Sequence, residues 1–303
     1  MPVIAGINSA NVVQAANSSV AEIFGGAVAT SVEFNSVKKG DETKSPKPPF
    51  LARFRKDGKD LYFVAADHAV NINANEDTFK LIDTVINGKT KLVILEGLSS
   101  DHGISPSFYL DYAKQVGNEK NEDAYAAFKA AESGASFTGG EIPAGEILQR
   151  AKDLGYSQKE IMAFYILRSA PYWRQAGVDE THFDEQAAGY LENGEEFKAI
   201  PSKDRLTVAE FKEWYKKNND MPDRPFLQIN AQQMNPSSSP NASYFQRMSE
   251  KIETLRGPYL LGQIETALSK YDNVVVVYGY GHFFQSYEAL EKKLGKPDFI
   301  KVK

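Results

Sequence analysis

Residues 274–285 read VVVVYGYGHFFQ, and the reading of this stretch decides the fold. Four consecutive valines leave no polar face, so the run reads as a strand covered on both sides, as in a parallel sheet between helices. It ends at Gly279 and Gly281, and His282, one of only four histidines in the chain, follows directly. The two glycines read as a turn that holds the imidazole out beyond the strand. A second stretch repeats the arrangement: LYFVAADH, residues 61–68, is apolar from Leu61 to Ala65 and ends in His68. Each histidine has a small residue three positions before it, Ala65 in one case and Gly279 in the other. A third run, KLVIL from Lys91 to Leu95, delivers Glu96. Open α/β sheets bind ligands beyond the carboxyl ends of their strands. If the three runs are parallel neighbours, two imidazoles and one carboxylate meet at one edge.

Around these runs the chain reads as an α/β protein with a mixed, mainly parallel central sheet flanked by helices. In FLARFRKDGKDLYFVAADH, two β-rich runs flank Asp57-Gly58, a pair that favours the tight turn of a hairpin. A helix over Glu76 to Asn87 then leads into KLVIL, giving a strand–helix–strand unit of parallel type. Residues 105–220 read as a helical cap. Asn121 to Glu132 is alanine-rich, SFTGGE (Ser136 to Glu141) is a short strand or sharp loop, and Pro143 opens a helix to about Leu154. Ser157 with Glu160 forms a capping-box pattern, and helices are expected at Phe183 to Lys198 and Thr207 to Asn218. The last third predicts a strand at Arg224 to Asn230 and helices at Ser243 to Arg256 and Pro258 to Lys270, broken at Gly257. A helix from Gln285 to Leu294 and a closing edge strand from Asp298 to Val302 complete the pattern. Residues 49–303 form the expected domain. Residues 1–48, rich in Asn, Ser, Ala and Gly and ending in SPKPP, read as a flexible tail and linker.

Composition narrows the function classes. Of 303 residues, 42% are apolar and 25% charged, enough for a sizeable core, and the net charge of −5 lacks the basic footprint of a nucleic-acid binder. Cysteine is absent, which excludes disulfide scaffolds, thiolate metal sites and cysteine nucleophiles. No apolar run approaches the ~20 residues of a membrane helix, so a soluble protein is expected. No Lys or Arg precedes Lys38, so the N-terminus does not read as a signal peptide; the polar leader is nevertheless compatible with an export signal, leaving a secreted or periplasmic location open.

Two chemistries suit the strand-end groups. His68 and His282, with a carboxylate, could hold a divalent metal such as Mn, Co or Zn that acidifies a bound water. Alternatively, a histidine oriented by Glu96 activates water directly, without a metal, while the other stabilises the oxyanion. Glu141 follows two glycines and precedes a helix, so it can point a carboxylate into a cleft; a favourable charge at a helix N-terminus is an equal reading. Arg247, in NASYFQRMSEKI, suits an anionic group or a carboxylate, and equally a solvated helix face. Tyr280 lies between the two glycines and projects toward the same place, whereas Tyr278 reads as core. His102 and His182 lie in polar surroundings and read as surface residues.

The hairpin entering LYFVAADH, the following VILEGL, the helix carrying Arg247 and the closing VVVVYGYGHFF together resemble the TraB/GumN-Tiki superfamily, related in fold to erythromycin esterases and ChaN-like haem-binding proteins. The likeness covers about residues 50–303 and is strongest over 50–100 and 240–303. The family pattern has two Gly-x-x-His motifs, a strand-end glutamate after the first, and an arginine on the helix before the second. The second motif is intact as Gly279-Tyr280-Gly281-His282, while Ala65 stands where the first has glycine, and no esterase-like glutamate precedes His68. The resemblance implies hydrolysis of a peptide, protein or ester substrate, with His68, Glu96, Arg247 and His282 in the site. Its other implication is a haem-binding or partner-binding domain, with Tyr280 or His282 as axial ligand.

Overall fold

The computed structural model describes residues 46–67, 72–99, 110, 122–194, 197–198, 200–219, 223–237 and 239–300. These fall into two compact units, one built from residues up to 142 together with 256 onward, the other from 143–255. The predicted tail up to residue 45 lies outside the described residues.

The first unit is an α/β sheet. Its strands are β1 (Phe50–Lys56), β2 (Lys59–Ala66), β3 (Leu92–Ser99), β4 (Ser136–Glu141), β5 (Asn273–Gly279) and β6 (Asp298–Ile300). The described residues order them β4-β3-β5-β2-β1-β6. The four strands β4, β3, β5 and β2 are mutually parallel, and β1 and β6 close the sheet antiparallel. The valine run is therefore central, paired with β3 on one side and β2 on the other. Val274, Val276 and Tyr278 face one layer and Val275 and Val277 the other, all buried. The absence of a polar face in the sequence has this cause.

Hydrophobic burial on each face fixes the helices. Behind Val275 and Val277 pack Leu81, Ile82 and Val85 of α1 (Ile72–Val85), with Ala126, Ala127 and Ala130 of α2 (Glu122–Ser133). The small alanines let α2 lie close to the sheet. The opposite face carries Phe50, Phe54 and Phe63, with Phe283 edge-on to Phe50 and Phe63 at 5.1 and 5.2 Å between ring centroids.

The second unit is helical: α3 (Ala144–Gln149), α4 (Gln158–Gln175), α5 (Phe183–Asn193), α6 (Val208–Asn218) and α7 (Ala231–Met234). Ser157 and Thr207 open α4 and α6 with complete capping boxes through Glu160 and Glu210, as the Ser-x-x-Glu spacing predicts at Ser157. Its core is aromatic, with Phe183 stacked on Phe226 at 4.7 Å and Tyr215 on Phe245 at 6.1 Å. The long α8 (Tyr244–Lys270) begins in this unit and ends in the sheet unit. There Leu260, Leu261, Ile264 and Ala267 join the phenylalanine layer, as does α9 (Tyr280–Leu294). Among the described residues no helix is long and apolar enough to cross a membrane.

Four local expectations are corrected. No break falls at Gly257: α8 runs through Pro258, because the buried stripe continues at Leu255, Tyr259 and Leu260 and outweighs one missing backbone hydrogen bond. Residues 224–230 hold a 3-10 turn, Phe226–Gln228, in place of a strand. The Leu227 amide there donates to Glu180 Oε1 at 2.8 Å and its carbonyl accepts from Arg174 Nη1 at 2.9 Å, so side chains satisfy what a sheet ladder would otherwise serve. The helix opened near Pro143 stops at Gln149 and does not reach Leu154. Finally, α9 starts at Tyr280 and not at Gln285, so β5 passes into a helix without a turn, and Gly279 has φ −54°.

The Asp57-Gly58 hairpin forms as expected. Lys56 pairs with Lys59, and the two loop residues have φ 52° and 78°. Left-handed backbone at both central positions is the mirror-image turn that matches strand twist. Gly58→Ala is expected to lower unfolding stability by about 1–2 kcal/mol, the cost of a side chain in left-handed conformation. Urea denaturation checks it, with no change of m-value expected because the site is exposed.

Candidate functional site

The parallel strands β2, β5 and β3 lie side by side in register, Ala66 opposite Gly279 and Val277 opposite Leu95. Their carboxyl ends therefore share one edge, which meets the condition set by the sequence, that the three runs be parallel neighbours. Glu96 lies on β3, two residues beyond Ile94. A register shift between Leu95 and Ser99, with Gly97 at φ 70°, interrupts the β3–β4 pairing just past it. Irregularities of this kind re-aim side chains at sheet edges.

The Glu96 carboxylate does two jobs. Oε2 accepts the Gly279 amide at 2.5 Å, and Oε1 lies 3.3 Å from His282 Nε2. Gly279 is the N-cap of α9 and has no side chain to cap the helix. Glu96 places its negative charge at that helix start, where the exposed amides and the macrodipole favour it. His282 occupies the first turn of α9, so the strand–helix junction and the carboxylate from the neighbouring strand together fix the imidazole. Tyr278, one residue before Gly279, meets the His282 ring edge-on at 5.4 Å and 86°.

Glu141 ends β4, and Arg256 grips it as a fork: Nε to Oε2 at 2.8 Å and Nη2 to Oε1 at 2.7 Å. The same Nη2 stands 3.8 Å from Glu96 Oε1, so the guanidinium lies between the two carboxylates but is bonded to one. The Arg256 and His282 side chains are 12% exposed and those of Glu96 and Glu141 17% and 18%, which keeps these charges in a poorly screened environment. Arg256 was not singled out from the sequence. The available signal was its place on the buried stripe of α8, one turn before Leu260 and two before Ile264.

Beneath the carboxylates lies Tyr278. Its ring crosses β3 at Ile94 to reach β4 at Gly140, where a Cβ would sit 2.5 Å from the phenolic oxygen, 2.8 Å from Cε2 and 2.9 Å from Ile94 Cγ2. The second glycine of SFTGGE is thus required by close approach. Burial, followed by the negative charges of Glu141 and Glu96, pushes the phenol well above its ordinary pKa, so it stays protonated. Its oxygen has no hydrogen-bond partner among the described residues.

The structure thus brings together Glu96, Glu141 and His282 from the expected set and adds Arg256. His68, two residues past β2, and His102 lie outside the described residues. Arg247 belongs to the helical unit, where its guanidinium donates to the Ala242 carbonyl. Tyr280, the first residue of α9, packs against the phenylalanine layer, edge-on to Phe284 at 6.4 Å. His182 is exposed, as expected, and its Nδ1 pairs with Asp179 at 2.8 Å. Among the described residues no group of three or more His, Asp or Glu side chains is arranged to hold a metal ion, and Arg256 engages both Glu141 oxygens. No protein-family model, no curated protein and no solved structure matches the chain.

Two outcomes follow from this geometry. Arg256→Met leaves two enclosed carboxylates without their cation and is expected to cost about 3–5 kcal/mol, part of which returns when Glu141→Gln is added. A double-mutant cycle in urea should give a coupling of about 0.5–3 kcal/mol. Gly140→Ala is expected to cost about 1–3 kcal/mol by overpacking against Tyr278 and Ile94, both held in the core. Thermal unfolding reads it directly.

Proposed function

We propose that the chain is a hydrolase of the TraB/GumN-Tiki type that cleaves a peptide or ester bond with water activated by His282. The observation that carries the reading is the Glu96–His282 pair, 3.3 Å apart at the carboxyl edge of a parallel sheet. In this reading the Glu96 oxygen 3.3 Å away accepts the Nε2 proton, which leaves Nδ1 as the basic ring nitrogen. In the proposed step, a water attacks the substrate carbonyl carbon as its proton passes to Nδ1. The imidazolium that forms is held against the Glu96 carboxylate. Collapse of the tetrahedral intermediate breaks the bond to the leaving amine or alcohol, which takes the proton back from His282.

Arg256 and Glu141 have the supporting part. By engaging Arg256, Glu141 leaves the Glu96 charge to balance the imidazolium. His68 follows β2 in sequence, and in this reading its imidazole stabilises the carbonyl oxygen as that oxygen gains charge.

The test uses the full chain on panels of nitrophenyl esters and fluorogenic peptides. His282→Gln retains an N–H for Glu96 but removes the titrating nitrogen, and Glu96→Gln removes the charge. Each is expected to lower kcat/KM by about 10²–10⁴-fold, the usual worth of a positioned acid–base group, with cooperative unfolding preserved. Turnover equal to wild type in both variants would falsify the proposal.

A further inference from the structure

The reaction above does not use the Tyr278 hydroxyl. Tyr278 is 2% exposed, its oxygen lies against Gly140, and among the described residues it makes no hydrogen bond. A buried hydroxyl left unsatisfied costs about 1–3 kcal/mol, and phenylalanine would fill the same space without that cost. The surroundings give the oxygen a chemical context. Glu141, next in sequence to Gly140, and Glu96, which takes the amide next in sequence to Tyr278, are the carboxylates whose charges act most on the phenol, ahead of Asp123. Arg256 gives each Glu141 oxygen one donor, and a carboxylate oxygen accepts two hydrogen bonds, so Glu141 retains acceptor capacity beside the phenol. A protonated phenol beside two carboxylates that it does not bond directly is the arrangement that one small bridging molecule completes.

We propose that Tyr278 is a positioning residue of this site, its hydroxyl holding a water molecule against the Glu96 and Glu141 carboxylates. The water has polar partners on several sides: the phenol on one, carboxylate oxygens on the others. Tyr278 acts on the chemistry through this water and through the His282 ring, which it meets edge-on. Gly140 has its place in the same device, since any side chain there would displace the hydroxyl. The inference rests on the hydrolase reading for its catalytic consequence but not for the water itself.

The experiment therefore has two arms, both comparing wild type with Tyr278→Phe. In crystal structures at a resolution that shows ordered solvent, wild type is expected to hold a water about 2.6–3.2 Å from the phenolic oxygen and from a Glu96 or Glu141 oxygen, lost in the variant. A dry hydroxyl, or one bonded directly to a protein group, overturns the proposal. In the second arm, urea unfolding of the variant is expected to match wild type, while kcat on any ester or peptide turned over falls tenfold or more with KM within about twofold. Unchanged kcat, or a variant whose unfolding constant rises more than tenfold, assigns the hydroxyl a structural role and sinks the proposal. If wild type hydrolyses neither panel, the hydrolase reading fails by itself, and the solvent structure with the unfolding comparison still decides the water.

Discussion

The hydrogen bond from the Gly279 amide to Glu96 is the constraint on which the rest of the site depends. A carboxylate in a mostly enclosed position is costly unless it is paired, and among the described residues three partners of different origin face it. The Gly279 amide comes from a strand–helix junction, the imidazole from the first turn of the helix, and the guanidinium from α8. Each partner is placed by burial elsewhere: β5 by its valines, α9 by Phe283 and Leu290, and α8 by Leu260 and Ile264. The site is therefore a consequence of how the phenylalanine layer packs. Removing the carboxylate would leave α9 without its cap and His282 without its orienting group at the same time.

Much of the sheet was legible in the sequence because its signals are local and strong. Val274–Val277 read as a strand covered on both faces, and Asp57-Gly58 favoured a tight hairpin; both form. The meeting of Glu96 and His282 followed from strand ends that parallel pairing brings to one edge. Other features depended on partners far away in sequence. The turn at Phe226–Gln228 reads as β-rich because its apolar residues are buried, but its backbone is satisfied by Arg174 and Glu180, about 50 positions away. The continuity of α8 through Gly257-Pro258 is likewise set by the packing of the stripe and not by local propensity.

The arginine shows the limit most clearly. Arg247 stood out because it lies within an otherwise packed helix start and matches the arginine of the family pattern, whereas Arg256 is hidden before a Gly-Pro pair that reads as a break. Once α8 is continuous, Arg256 falls on the buried stripe, where a cation must find a carboxylate, and Glu141 provides one. Tyr278 was legible only in part. Its place in the core follows from alternation along β5, but the reach of its oxygen to Gly140 follows from β3 and β4 lying beside β5 in that order.

The asymmetry of Arg256 has a chemical consequence. Taken by themselves, the Glu96 and Glu141 carboxylates and the Arg256 guanidinium sum to one negative charge in a poorly screened place, which an imidazolium at His282 would cancel. Where that charge resides decides whether the cancellation helps. Bonded to Glu96, the arginine would neutralise the carboxylate next to His282 and strand the charge on Glu141 at the sheet margin. Bonded to Glu141 at 2.7 Å and 3.8 Å from Glu96, it leaves the unbalanced charge beside the ring that would accept a proton. Glu141 acts at a distance by occupying the cation, and its position is set in turn by the close packing of Gly140 on Tyr278. The packing of one glycine under one phenol thus reaches the electrostatics of the histidine through a single ion pair.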